Sequence, residues 1–157
     1  CRVRVGIGID VHKYSAEKPL WLGCVKWPDQ VGLEGHSDAD VIAHAICDAL
    51  LSAAHLGDLG SNFGTDKAEY ANSSGEVFLM ETFEMISDAG FRVENVAVQL
   101  IGNQPKVIER RSEMENIISS HLGGAVINIS GTTTDTLGFT GRGEGLAAVA
   151  TCLLMTL

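Results

Sequence analysis

Residues 2–12 read RVRVGIGIDVH, an alternation without a break. Val3, Val5, Ile7, Ile9 and Val11 share one parity, and Arg2, Arg4, Gly6, Gly8, Asp10 and His12 share the other. Successive side chains of an extended chain point to opposite faces, so the stretch reads as a strand. Its second face carries no side chain at Gly6 and Gly8, which lets another backbone lie close against it. The same parity sets Asp10 and His12 side by side at the far end. A carboxylate and an imidazole two apart are half of a zinc site, although such a pair standing alone is more often simply hydrogen bonded.

Outward from this strand, the next informative stretch is HSDADVIAH, residues 36–44. Ser37 and Asp40 have the spacing of a capping box, which predicts a helix starting there. Val41, Ile42, Ala45, Ile46, Ala49, Leu50 and Ala53 then recur at the three-and-four spacing of one buried face, and His55-Leu56-Gly57 supplies a stop. Asp40, His44 and Asp48 form a separate stripe at i,i+4. A carboxylate on such a stripe can hold a histidine in one tautomer and leave its other nitrogen for a metal; taken alone, the stripe is more often a solvated face. Asp10, His12 and His44 together make three ligands of the types zinc accepts, with a fourth position for substrate or water, which is a catalytic arrangement. Spacing does not tell whether the strand end and the helix converge.

The remaining chain supplies the rest of an α+β pattern. Residues 13–35 break at Pro19, Gly23, Pro28, Gly32 and Gly35 and read as a loop with room for a hairpin. A long polar run follows Gly57, and loops of that length are usually functional or mobile. Ser73-Ser74-Gly75-Glu76 starts a second helix that ends at Ala89-Gly90, with Val77, Met80, Phe83 and Ile86 or Met85 as its apolar face. Phe91 to Ile101 is a valine-rich strand. Pro105 suits the first turn of a third helix carrying Ile108, Met114, Ile117, Ile118 and Leu122 and closing at Gly123-Gly124. Ala125 to Ser130 and the segment to Leu157 read as strands. Between them, residues 131–145 offer hydroxyls, glycine amides and one arginine, the groups that hold phosphate oxygens without bulk, or else form an ordinary glycine-rich turn. The expectation is one domain over residues 1–157: a mixed four-stranded sheet covered by helices on one face.

Composition narrows the function. The 157 residues are 45% hydrophobic and 20% charged, globular values with no uninterrupted apolar run long enough for a membrane span. Cys1, Cys24, Cys47 and Cys152 contain no C-x-x-C pair, which argues for free thiols in a reducing compartment. The chain opens with Cys1 and shows no signal-peptide pattern, so something trimmed from its start is expected. With 20 acidic against 11 basic side chains the net charge is −9, which disfavours nucleic-acid binding. A polyphosphate substrate would therefore need bound cations.

D-V-H at 10–12, HSDADVIAHA at 36–45, G-D-L-G at 57–60, Q-P-K at 104–106 and TTTDTLGFTGRGEG at 132–145 together resemble the methylerythritol cyclodiphosphate synthases of non-mevalonate isoprenoid biosynthesis. The likeness runs through nearly the whole chain in the right order. It implies a cytoplasmic enzyme, or a plastid one, that assembles as a homotrimer with active sites between subunits. The implied reaction turns diphosphocytidyl-methylerythritol 2-phosphate into a cyclic diphosphate and CMP. By this resemblance Asp10, His12 and His44 hold zinc, and Asp135 holds a second ion, magnesium or manganese. His36 and Thr133 support the transition state, while Ser37, Asp58 and Gly60 surround the erythritol part. Phe63 and Asp66 stand in a loop with further substrate contacts. The cytidine pocket maps to the backbone from Gly102 to Ile108, with Lys106 and Val107 in that run, and to Thr132 and Thr133. Phe139, Arg142 and Glu144 map to the trimer axis and a nearby cavity for isoprenoid diphosphates.

Three departures stand out. Asp135 replaces a common glutamate, the loop at residues 63–66 is one residue short, and Ala39 replaces a usual glycine, an exchange that is harmless inside a helix. Two other readings stay open on the residues alone: a zinc hydrolase that activates water, and a metal-stabilised trimer without catalysis.

Overall fold

The computed structural model describes residues 1–157 apart from Thr65, Asp66 and Ala71. Strand β1 spans Val3–Ser15, followed by the short β2 (Leu20–Leu22), β3 (Val25–Trp27) and β4 (Gly32–Leu33). Helices α1 (Val41–Ala53), α2 (Leu59–Phe63) and α3 (Gly75–Asp88) lead to β5 (Phe91–Ile101). Helix α4 (Arg111–His121), β6 (Val126–Thr132), the single turn α5 (Gly138–Gly141) and β7 (Gly145–Thr156) complete the chain. The sheet order is β4-β1-β7-β5-β6, with β5 and β6 parallel and the other pairs antiparallel. The parallel pair is joined through α4, as a parallel connection requires.

The expected four-stranded sheet is thus five-stranded. The extra member, β4, pairs only with Tyr14 and Ser15 at the end of β1, and two residues carry no readable periodicity. The loop at 13–35 does contain a hairpin, β2 with β3. It turns at Gly23 and Cys24 with φ of 62° and 64°, the left-handed pair that matches strand twist in a two-residue turn.

The glycine face of β1 receives α1. A Cβ at Gly6 would stand 1.9 Å from Ala49 O, and one at Gly8 would stand 2.0 Å from Ala45 O. The helix presents alanines here, so its backbone rests on the strand. Ser52 Oγ completes the seam by accepting from Ile7 N at 3.1 Å and lying 3.0 Å from Ile7 O. Ala148, Ala150, Cys152 and Leu154 of β7 and Val96, Val98 and Leu100 of β5 continue this buried face. Each larger apolar side chain buried there contributes about 1.5–3 kcal/mol. The opposite face of β1 is bare: Val3, Val5, Ile7, Ile9 and Val11 are 48–74% exposed.

Three local expectations change. Helix α1 begins at Val41 with Asp40 as its cap, accepting from Ala43 N at 3.0 Å. Ala39 at φ 57° breaks the turn that a capping box from Ser37 would need. Ala39 therefore lies before the helix, in the left-handed region where glycine costs nothing and alanine costs about 1 kcal/mol, so the exchange is not harmless. On α3 the buried side chains are Phe78, Leu79, Thr82 and Ile86, while Val77 and Met80 face outward. Two apolar faces were written at nearly the same spacing, and docking on α1 selects one: a Cβ at Gly75 would stand 2.7 Å from Ala43 Cβ. The third helix starts at Arg111, after a 3₁₀ turn at Val107–Glu109, leaving Pro105 outside it and Ile108 exposed.

Candidate metal centre and phosphate-facing turn

Strand β1 and helix α1 bring Asp10, His12 and His44 together, with one ligand atom from each lying within 4.8 Å of the others. Asp10 Oδ2 stands 3.0 Å from His12 Nε2 and 3.2 Å from His44 Nδ1. His12 Nδ1 lies 2.7 Å from Glu34 O. A carbonyl only accepts, so Nδ1 carries the proton and a neutral ring turns the Nε2 lone pair towards Asp10. His44 Nε2 lies 3.1 Å from Ser37 Oγ, a hydroxyl that can give or take a proton, and Nδ1 faces Asp10. The His12 lone pair facing a carboxylate oxygen is repelled unless a cation stands between them. The donor set therefore suits a divalent metal, and the outer hydrogen bonds orient both rings for it.

Charge within the cluster also shifts its own groups. Burial pushes the Asp10 carboxyl up, but hydrogen bonds and charge from His12 and His44 outweigh it and bring the group to about 2. Burial pushes His12 down, and Asp10 more than compensates, so its net shift is upward.

The expected Asp40-His44-Asp48 stripe does a different job. Asp40 is buried and binds Gly23 N at 2.9 Å and Cys24 N at 2.8 Å besides capping α1, which ties the hairpin to the helix. Asp48 accepts from Leu59 N at 2.7 Å and fastens α2. His44 takes its orientation from Asp10 and Ser37 instead.

Around this centre, His36 is exposed on the strap before α1, and its carbonyl accepts from Asn72 N at 3.3 Å. Asp38 was not singled out by the sequence, yet it accepts from Gly75 N at 2.8 Å and Asp40 N at 3.1 Å, lacing the strap to the start of α3. Asp58 caps α2 through Ser61 N at 2.8 Å, with Gly60 exposed beside it. The Phe63 ring is buried against Tyr70 and Phe78. Asp66 lies outside the described residues.

A second region lies at the carboxyl ends of the parallel strands, where α/β sheets commonly receive ligands. A hollow of 210 Å³ there is lined by Gly102, Lys106, Val107, Ile108, Thr132 and Thr133, all anticipated. Asn103 and Pro105, inside the anticipated run of 102–108, line it too, whereas Arg111 was missed and follows that run by only three positions. The chain continues into the turn carrying Asp135, which is exposed. Phe139 and Glu144 join Val11 and Lys13 around a shallow hollow, and Arg142 pairs with Glu144 at 3.1 Å. The register Asp10–Ala148–Leu100 places this hollow and the metal cluster at the same end of the sheet with β7 between them. At about 4.8 Å per strand, β1 and β5 are about 10 Å apart.

The chain is thus an α+β protein with a cluster able to hold a metal at a strand end and a hollow beside it. Residues 3–155 match the model of the YgbB family, and the chain belongs to that family. It is 55% identical over 151 residues to the 2-C-methyl-D-erythritol 2,4-cyclodiphosphate synthase of Acidothermus cellulolyticus, covering 96% of this chain and 93% of that one. It is 56% identical over 153 residues to the bifunctional enzyme IspD/IspF of Clavibacter michiganensis, covering 98% of this chain but spanning 37% of that relative's length. Among solved structures, IspF of Plasmodium falciparum in complex with CDP superposes with a TM-score of 0.86 at 30% identity, covering 98% of this chain and 96% of that one.

Proposed function

We propose that this chain is a cyclodiphosphate synthase of non-mevalonate isoprenoid biosynthesis. It converts 4-diphosphocytidyl-2-C-methyl-D-erythritol 2-phosphate into 2-C-methyl-D-erythritol 2,4-cyclodiphosphate and releases CMP. The observation that carries this reading is the Asp10, His12 and His44 cluster in a chain of this family. In the reaction the substrate's 2-phosphate oxygen bonds to its β-phosphorus while the bond from that phosphorus to the oxygen bridging to the CMP phosphate breaks. An ionised phosphate is already the nucleophile, so positioning and charge neutralisation are what the protein must supply.

Asp10, His12 and His44 would hold zinc, and Asp135 would hold magnesium or manganese. Cations so held neutralise and align the phosphate oxygens. His36 and Thr133 donate hydrogen bonds to them. Asp58, Gly60 and Ser37 surround the erythritol part, and the hollow beside Lys106 takes the cytidine, consistent with a relative solved as a CDP complex. Asp58 spends its carboxylate on capping α2, which weakens the case for a hydrolase that would use it as a base.

We assign residues 1–157 to one functional unit, working in the cytoplasm as a homotrimer. Among the described residues no helix is long and apolar enough to cross a membrane. The bare valine and isoleucine stripe of β1 is the surface that assembly would cover. It would also bring one subunit's metal cluster towards another's hollow, with Phe139 and Arg142 near the axis and an isoprenoid diphosphate as a further ligand there. Ile9→Glu should dissociate the trimer in sedimentation, and an unchanged oligomer would remove this face from the interface.

Incubation with the diphosphocytidyl substrate, zinc and magnesium in ¹⁸O-labelled water tests the reaction. Cyclisation yields CMP and a cyclic product without solvent oxygen. Label in the product would indicate hydrolysis, and no turnover by fully metallated protein would overturn both.

A further inference from the structure

Four polar or charged side chains are buried among the described residues: Asp40, His44, Thr82 and Thr140. His44 belongs to the metal corner and Asp40 caps α1, whereas Thr140 lies beneath the turn that presents Thr133 and Asp135. It is 4% exposed, and its Oγ1 stands 2.9 Å from Thr134 Oγ1. Thr134 Oγ1 in turn stands 2.7 Å from Leu137 O. A carbonyl cannot donate, so the Thr134 hydroxyl gives its proton to Leu137 and must accept from Thr140. The direction of the chain is therefore set, Thr140 to Thr134 to Leu137, and each bond polarises the next.

This chain of bonds closes over an uncommon backbone. Asp135 and Thr136 have φ of 51° and 70°, two successive left-handed residues, neither of them glycine and one β-branched. Such conformations persist only where the surroundings impose them. Four contacts do so here. Thr140 and Thr134 span the turn from below, and Leu137 N donates to Thr134 O at 3.0 Å. Gly141 lies against Thr136 so closely that a Cβ there would stand 2.3 Å from its carbonyl carbon. Asn103, on the rim of the ligand hollow, donates to Gly141 O at 3.1 Å.

We propose that Thr140 is a positioning residue: its buried hydroxyl holds residues 134–136 in the left-handed form that aims the Asp135 carboxylate. The proposal rests on the reading of Asp135 as a phosphate-facing metal ligand, while its structural half stands without it. Removing the hydroxyl lets Asp135 and Thr136 relax towards right-handed φ, which redirects the Asp135 Cα–Cβ bond although nothing touching the substrate has changed.

The test compares Thr140→Val, which keeps the shape and removes the hydroxyl, with Thr140→Ser, which keeps the hydroxyl. Crystal structures give φ at residues 135 and 136 without any assay. Magnesium titration of turnover, with zinc content measured in parallel, gives the functional half. Thr140→Val should lose the left-handed pair and raise the magnesium midpoint roughly 10-fold at unchanged zinc content, the size of effect seen for groups that orient metal ligands. Thr140→Ser should restore both. Unchanged φ and midpoint in Thr140→Val would overturn the proposal, as would Thr140→Ser behaving like Thr140→Val. Should Thr140→Val not fold, Thr134→Val breaks the same chain of bonds at its middle link. Absence of turnover in the wild-type protein would count against the proposed function alone, because φ still decides the role of Thr140.

Discussion

The metal corner and the threonine turn both offer polar groups at one end of the sheet, and they are held there by different means. Asp10, His12 and His44 ride on a long strand and a buried helix whose backbones touch at Gly6 and Gly8. Thr133 and Asp135 ride on a turn with no regular partner, locked by two hydroxyls and a left-handed backbone pair. The first site is rigid because moving it would disrupt the core. The second is rigid only while its own hydrogen bonds last, so the two should answer differently to small substitutions.

The largest effect is expected at the metal corner. His44→Ala should abolish zinc binding and slow turnover roughly a thousandfold, about 4 kcal/mol, with α1 intact by circular dichroism. Retained zinc with normal turnover would remove His44 from the ligand set.

Adding one methyl to a glycine in each region then separates steric from conformational control. Gly8→Ala drives a Cβ to 2.0 Å from Ala45 O and should cost about 3 kcal/mol or more in thermal unfolding. Gly138→Ala meets nothing within 4 Å, but Gly138 has φ 67°, so only the left-handed penalty of about 1 kcal/mol applies. Equal costs at the two positions would erase the distinction.

A last effect concerns the strap before α1. Burial, and then the charge of Asp40, push the Asp38 carboxyl up to about 6 from its ordinary 3.8. The folded protein therefore binds that proton more tightly than the unfolded chain, and the associated stability is complete below pH 3.8 and lost as pH rises through 6. Relative to Asp38→Asn, the wild-type protein should gain stability as pH falls across that window. Parallel melting curves for the two proteins would rule this out.

Much of the fold was legible from pattern. The bounds of β5 matched residue for residue, β7 was read as a core strand, and α3 began and ended at its Ser74 and Gly90 signals. What failed had a local cause. Ala39 adopts φ 57° because the strap is laced to residues 72–75, a constraint absent from residues 36–44 themselves. The α3 face was misread because Phe78 and Leu79 compete with Val77 and Met80 at almost the same spacing.

The site divides along the same line. Asp10, His12 and His44 could be listed together because imidazoles and carboxylates at strand and helix ends are few, and the resemblance then implied the same grouping. Asp38 and Thr140 gave no such signal and Asp48 stood out only as part of a stripe, because their partners are the Gly75 amide, another hydroxyl and the Leu59 amide.

By itself, then, the sequence determined which residues alternate, where the helices gather, and which side chains can bind a cation. Those properties follow from side-chain chemistry and from periods of two and of three to four. Only the tertiary structure decided that the glycine parity of β1 is the buried one and the valine parity the bare one. Alternation distinguishes two faces without saying which meets the helix, and here the answer came from room for a backbone at Gly6 and Gly8.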